Sequence, residues 1–186
     1  MESTKTLLND VFGFNNFRPG QGEIIDAVTS GENVLAIMPT GGGKSLCFQL
    51  PALLNDGLTV VISPLIALMR DQVRGLQAAG VVAGAITSGN TQEETDTVFS
   101  QIVSGDLKLL YVAPERLNSS RIQNILRKSN VNSIAVDEAH CVSQWGHDFR
   151  PDYLNIGKLR RSLGVPLSAF TATADNDTQQ EIIERL

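Results

Sequence analysis

One stretch limits the fold more than any other: Met38-Pro39-Thr40-Gly41-Gly42-Gly43-Lys44-Ser45. The apolar run Asn33-Val34-Leu35-Ala36-Ile37 leads into it, and Leu46-Cys47-Phe48-Gln49-Leu50 leads out, which reads as strand, glycine loop, helix. Three consecutive glycines let the backbone adopt positive φ and bring its N–H groups close to an anion. The helix that follows adds the positive end of its dipole and its unpaired N–H donors. In such a P-loop Lys44 reaches the β- and γ-phosphates of a nucleotide as a point charge, and the Ser45 hydroxyl is placed to ligate Mg²⁺. Thr40, Gly41, Gly42 and Gly43 supply the cradle. The strict pattern asks for glycine where Met38 stands, so this is a variant loop that keeps the part touching phosphate.

Short apolar runs recur after it: Leu58–Ile62, Val81–Ile86, Leu107–Val112, Ser133–Val136 and Leu167–Phe170. Helical patterns separate them, at Leu65–Ala79, Gln92–Val103, Glu115–Arg127 and Asp152–Leu163, with a last one from near Asn176. Two further helices, Thr4–Phe12 and Gln21–Thr29, precede the P-loop and flank a breaker-rich turn. Strands alternating with helices predict a single α/β domain with a mainly parallel sheet covered on both faces. Right-handed crossovers then collect the loops that follow the strands along one sheet edge.

The second anchor is Ser133-Ile134-Ala135-Val136-Asp137-Glu138-Ala139-His140, an apolar strand ending in two carboxylates about ninety residues after the P-loop. An Asp at such a strand end holds Mg²⁺ opposite the P-loop hydroxyl, and Glu138 is positioned to orient and deprotonate an attacking water. Two acids in the first turn of a helix would also suit the helix dipole. Paired with Gly41-Gly42-Gly43-Lys44-Ser45, they instead complete a Mg²⁺–triphosphate site. The catalytic candidates are therefore Lys44, Asp137 and Glu138, and the metal candidates Ser45 and Asp137.

These residues carry a family resemblance. Asp137-Glu138-Ala139-His140 resembles the four-letter box of superfamily 2 helicases. The run from Asp137 through Cys141-Val142-Ser143-Gln144-Trp145-Gly146-His147-Asp148-Phe149-Arg150-Pro151 is similar to the RecQ family of DNA helicases. Phe12–Gln21, Ser63–Gln72, Tyr111–Leu117 and Phe170–Ala174 match further motifs of that family's first RecA-like lobe. The resemblance spans roughly residues 8 to 175. It implies that residues 1–30 form an adenine-recognition unit, in which Gln21 reads the Hoogsteen edge while Phe14 and Arg18 sandwich the ring. The chemistry agrees, because a Gln amide both donates and accepts and a guanidinium plane stacks on a base. Phe14 and Phe17 could otherwise be a hydrophobic staple for the next helix.

The resemblance also makes Trp145, His147, Phe149 and Arg150 an aromatic loop that senses single-stranded DNA, where sequence-tolerant stacking and a phosphate contact are the expected physics. Core anchoring of Trp145 and Phe149 is the competing expectation. Thr171 and Thr173 resemble the motif coupling hydrolysis to lobe movement, with hydroxyls able to bond His140 or the Asp137/Glu138 pair. Arg116 heads a basic helix with Arg121, Arg127 and Lys128, whose default is a solvated face and whose alternative is phosphate contact. A metal set of His140, Cys141 and His147 lacks a second ligand pair.

A net charge of −5, with 42% hydrophobic and 19% charged residues, argues against a general nucleic-acid coat, so DNA contact must come from local clusters. No apolar run approaches a membrane span, and Cys47 and Cys141 read as reduced thiols. The family has two RecA-like lobes, the second contributing arginines to catalysis, and nothing after Phe170 encodes one. The chain is therefore expected to be the first lobe of an ATP- and Mg²⁺-dependent 3′→5′ DNA helicase of repair or recombination. Its expected partners are single-stranded and partly duplex DNA and the second lobe. Alone it is expected to be monomeric, with neither efficient ATPase nor unwinding. Its setting would be cytoplasmic and nucleoid-associated if bacterial, nuclear if eukaryotic. An RNA helicase lobe and a nucleotide-dependent binding module without turnover are the alternatives.

Overall fold

The computed structural model describes residues 2–186. Among these the chain forms six strands and eight α-helices. In chain order they are α1 (Glu2–Phe12), α2 (Gln21–Thr29), β1 (Val34–Ile37), α3 (Leu46–Leu54), β2 (Leu58–Ile62), α4 (Ile66–Ala78) and β3 (Ala83–Ile86). There follow α5 (Gln92–Ser104), β4 (Leu109–Val112), α6 (Ser120–Arg127), β5 (Val131–Val136), α7 (Ile156–Leu163), β6 (Leu167–Thr171) and α8 (Asn176–Arg185). The strands form one sheet of order β1-β6-β5-β2-β4-β3, with every pair parallel.

Period-two alternation splits the core between the two faces of this sheet. Val60, Ile62, Leu110, Val112, Ile134 and Val136 face one side, where α5, α6, α7 and α8 bring Phe99, Leu126, Ile156 and Ile182. Val61, Leu109, Tyr111 and Ala135 face the other, packing on α1 to α4 through Leu8, Ile25, Phe48 and Met69. Both faces are thus covered, and the central strands read as near-continuous apolar runs because little of either side meets water. No helix among the described residues is long and apolar enough to cross a membrane.

Helix boundaries follow local chemistry. Thr91 and Glu94 form a reciprocal capping box that starts α5, with Thr91 Oγ1 accepting from the Glu94 N–H at 3.1 Å and Glu94 Oε2 from the Thr91 N–H at 2.8 Å. Asp175 caps α8, accepting the Thr178 N–H at 2.8 Å. Two expected helices are interrupted. The Glu115–Arg127 pattern divides into a 3₁₀ turn, Pro114–Asn118, and α6, because Ser119 adopts extended backbone and caps the new helix through Ile122 N–H. The Asp152–Leu163 pattern likewise opens with a 3₁₀ turn, Pro151–Asn155, before α7. Proline at the first position suits either helix type, so the pattern alone could not separate them.

Candidate active site at the sheet edge

Register fixes the level at which the motifs emerge. Ile37 pairs with Thr171 across β1 and β6, and Val136 pairs with Ala169 across β5 and β6. Continued by two residues, the second ladder brings Glu138 level with Thr171, so the P-loop and the carboxylates leave the same edge at the same height. The P-loop strand β1 and the carboxylate strand β5 are not neighbours, because β6 lies between them. Thr171 therefore stands centrally, its carbonyl accepting the Met38 N–H at 3.0 Å.

In the P-loop Gly41 and Gly43 both have φ of 81°, the left-handed region that L-residues avoid. A Cβ on Gly43 would also overlap Gln21 Nε2, so this glycine permits a close approach as well as a turn. The breaker-rich turn before α2 folds directly onto the loop. Arg18 donates from its guanidinium to the Gly41 carbonyl, and Gln21 donates from Nε2 to the Gly43 carbonyl at 3.1 Å. Gln21 Oε1 accepts the Arg18 N–H at 2.7 Å. Gln21 is only 3% exposed, so in this state its amide braces the loop with one donor and one lone pair, and one of each is left over. Phe14 is 50% exposed, whereas Phe17 packs against the α1–α4 core, which gives the staple role to Phe17 alone. Arg18, Ile24, Ile37 and Thr40 line a cleft of about 430 Å³ beside the loop.

The carboxylate side is built differently. Asp137 is 7% exposed; its N–H donates to the Ile62 carbonyl of β2 at 2.9 Å, and its Oδ1 accepts the Glu138 N–H at 3.0 Å. Burial first, then the neighbouring Glu138 charge, holds the Asp137 carboxyl above the usual range, while Lys44 and His140 pull it back. The donors on offer for a metal, a serine hydroxyl and a carboxylate, are hard oxygens of the kind Mg²⁺ prefers, so Ser45 and Asp137 fit it. Glu138 has φ 53° and ψ 46°, the sole non-glycine with positive φ among the described residues. Strain of this type costs about 1–3 kcal/mol and persists where surrounding contacts over-determine it.

His140 connects three motifs. Its Nδ1 lies 2.8 Å from Thr171 Oγ1 and 3.5 Å from Glu138 Oε2, and its Nε2 lies 3.2 Å from Asp148 Oδ2. The Asp148 carboxylate requires a proton on Nε2, and the Thr171 hydroxyl beside Nδ1 donates to the Thr173 carbonyl at 3.1 Å. The bond to His140 lowers the Asp148 carboxyl below its ordinary range. The threonine hydroxyl also contacts the Thr173 backbone, while Thr173 itself is exposed.

The loop that follows is 89% exposed at Trp145, which rules out core anchoring for that residue; Phe149 is half-buried, and His147 and Arg150 are exposed. Arg116 does not project freely, because its guanidinium donates to the Thr87 carbonyl at 3.3 Å. Arg121 stacks 4.2 Å over Phe99 and Arg127 donates to Ser162, so the α6 cations are largely structural. Among the described residues the metal-type grouping that forms is His140, Cys141 and Asp148, with donors within 4.8 Å, and His147 is outside it. Burial pushes the Cys141 thiol up to about 11, so it stays protonated.

Three participants have a role that no sequence motif assigned. Asp148 meets His140 only through space. Glu181 of α8 accepts from Ser143 Oγ at 2.7 Å and the Gln144 N–H at 3.2 Å, fastening the start of the exposed loop. Tyr153 donates to the Asp137 carbonyl at 2.8 Å.

Residues 18–182 match the DEAD/DEAH box helicase family. The chain belongs to that family. Its relatives are of RecQ type: it is 51% identical over 182 residues to the ATP-dependent DNA helicase RecQ of Haemophilus influenzae, covering 97% of this chain and 29% of that protein. The RecQ of Bacillus subtilis is 46% identical, covering 100% of this chain and 32% of the relative, and the ATP-dependent DNA helicase Q1 of Rattus norvegicus is 44% identical, covering 92% and 29%. The chain thus spans about a third of the length of these relatives. In fold it is similar to a hypothetical ATP-dependent RNA helicase of Sulfolobus tokodaii, with TM-score 0.75, 18% identity, and coverage of 100% of this chain and 55% of that one. It is equally similar to the helicase MrfA bound to DNA, with TM-score 0.75, 19% identity and coverage of 100% and 28%. The RecA-like architecture expected from the sequence is the one observed.

Proposed function

We propose that this chain is the first motor lobe of a RecQ-type 3′→5′ DNA helicase, binding Mg²⁺-ATP at the sheet edge and linking hydrolysis to contact with single-stranded DNA. The observation that carries the reading is the continuity of the edge: the register of β1, β6 and β5 brings the P-loop and the Asp137–Glu138 pair out at one level, and twelve residues or fewer separate Glu138 from the exposed Trp145 and Arg150. The RecQ names of the relatives support DNA over RNA as the partner.

In this reading Lys44 and the P-loop N–H groups hold the β- and γ-phosphates, while Phe14, Arg18 and Gln21 engage adenine. Ser45 and Asp137 hold Mg²⁺, which when bound neutralises charge on the phosphates. Glu138 aligns a water and takes its proton as the water oxygen bonds the γ-phosphorus. The bond to the bridging oxygen breaks, and ADP leaves with that electron pair. Trp145 and Phe149 stack on bases and Arg150 meets a phosphate. Arginines of a second lobe would stabilise the transition state, an effect worth about 10³-fold or more, so this lobe alone should turn over slowly.

The test is phosphate release by the full-length protein with single-stranded DNA, with single-stranded RNA, and by residues 1–186 alone. Stimulation by DNA well above RNA, with little turnover by the lobe, is expected. Equal stimulation by RNA would favour the RNA helicase alternative, and brisk turnover by the lobe would remove the need for a second one.

A further inference from the structure

One peptide group, between Asp137 and Glu138, carries the geometry of the proposed hydrolytic pair, and both its polar atoms are held. Its N–H donates to Asp137 Oδ1 at 3.0 Å. Its carbonyl accepts from Tyr153 Oη at 2.8 Å. Tyr153 has no exposed surface and belongs to the apolar core between the sheet and α5–α8. The orientation of this peptide plane fixes where the Glu138 backbone starts, and Glu138 is the residue held at φ 53°. A non-glycine residue relaxes out of that region unless its neighbours prevent it.

Tyr153 is also tied to the exposed loop. Its N–H donates to the Arg150 carbonyl at 3.0 Å, and the Arg150 N–H donates to the Cys141 carbonyl at 2.9 Å, closing the loop at its base. On the other side the Cys141 N–H donates to the Glu138 carbonyl at 3.0 Å. The chain from Glu138 to Tyr153 therefore forms a loop pinned at its neck, whose C-terminal end reaches back to the peptide where it began.

We infer that Tyr153 is a positioning residue for hydrolysis: its buried hydroxyl locks the Asp137–Glu138 peptide so that the Glu138 carboxylate is presented in its strained orientation. The inference rests on the proposed role of Glu138 as base. Tyr153 touches neither nucleotide nor DNA in this account. Its loss should therefore appear in turnover and leave binding alone.

The experiment compares three variants of the full-length protein, Tyr153→Phe, Glu138→Gln and Thr59→Val, in DNA-stimulated ATPase kinetics, nucleotide titration and thermal melting. Tyr153→Phe removes one oxygen and keeps the ring in its core. Thr59→Val removes another buried hydroxyl, hydrogen-bonded to Asn132 at 3.0 Å near the opposite end of the sheet, and serves as the control for simple loss of stability. Tyr153→Phe is expected to lower kcat about tenfold, equivalent to ~1.4 kcal/mol of barrier, with KM for ATP within about twofold of the parent. Thr59→Val should keep kcat even if it melts as early. Parental kcat in Tyr153→Phe, or a matching kcat loss in Thr59→Val, would overturn the positioning role. A rise in KM with unchanged kcat would overturn it too. Undiminished turnover in Glu138→Gln would instead overturn the base assignment, a failure that the Tyr153 result cannot mimic.

Discussion

The two halves of the sheet-edge site are held by opposite means. On the P-loop side, the backbone depends on glycines at positive φ, and the ties that steady it come from Arg18 and Gln21 to the Gly41 and Gly43 carbonyls. Arg18 is exposed and its bond to Gly41 lies beside an open cleft, so a nucleotide bound as proposed can exchange it for its own, while the bond from buried Gln21 lies deeper. On the carboxylate side, the positive φ belongs to a glutamate, and the ties come from β2 and from a fully buried tyrosine. No ligand can replace those. In the proposed function the contrast sets a cradle that adapts to substrate against a hydrolytic pair fixed in advance, the arrangement in which preorganised groups cost nothing to reorganise at the moment of reaction.

The sharpest way to break that contrast is to remove one charged group from each half. Glu138→Gln should cut turnover by about 10²–10⁴-fold, the usual worth of a positioned general base, while nucleotide affinity stays within about threefold. Lys44→Ala should weaken nucleotide binding by about 10–100-fold, as loss of a hydrogen bond to a charged group implies. Single-turnover hydrolysis and fluorescent-nucleotide titration of the full-length protein separate the two. If Glu138→Gln weakens binding as much as Lys44→Ala does, the halves are one unit and the contrast is wrong.

How far the sequence could be read follows the same division. The P-loop, the strand ends and the alternation of elements were legible because each rests on a local pattern: glycines in series, apolar runs, caps. All six strands lie within or beside their predicted runs, since strands buried on both faces leave little ambiguity in composition. The sheet order was not legible. Nothing in the apolar runs says that β6 enters between β1 and β5, because strand neighbours are chosen by packing across the whole domain. The same limit hid Tyr153, Asp148 and Glu181, whose partners are 16, 8 and 38 residues away and share no period with them. Resemblance supplied Trp145 and Phe149 as a pair, and only burial could distinguish the exposed ring from the half-buried one.

A smaller effect probes what presetting the carboxylates costs. Asp137 carries a raised pKa because burial disfavours its charge, so the folded state binds a proton more readily than the unfolded chain does. Its contribution to stability is thus fully favourable below the unfolded carboxylate pKa and is lost as pH rises through the folded value. Asp137→Asn keeps an oxygen to accept the Glu138 N–H and discards the charge. At pH 7 and without nucleotide it should melt higher than the parent, by about 2–4 °C for each kcal/mol relieved, and the gain should vanish as pH falls below the carboxylate range. Differential scanning across pH checks this. A variant that melts lower at pH 7 would mean that Lys44 and His140 already outweigh the burial of the charge.

The smallest effect belongs to the adaptable half and sharpens the meaning of Gln21. Its amide has one donor and one lone pair committed to Gly43 and Arg18, which leaves one of each for the N6 and N7 edge of adenine. Gln21→Met keeps the buried volume while removing both functions. If Gln21 reads the base, the variant should lose about two- to tenfold of its preference for ATP over GTP, the worth of one or two net hydrogen bonds. Affinity for inorganic triphosphate should not change, because the base is absent from that ligand. If triphosphate binding falls by the same factor, Gln21 serves the loop and not the base. The bonds to Gly41 and Gly43 would then be permanent fixtures, and the P-loop half would be as preset as the half that holds Glu138.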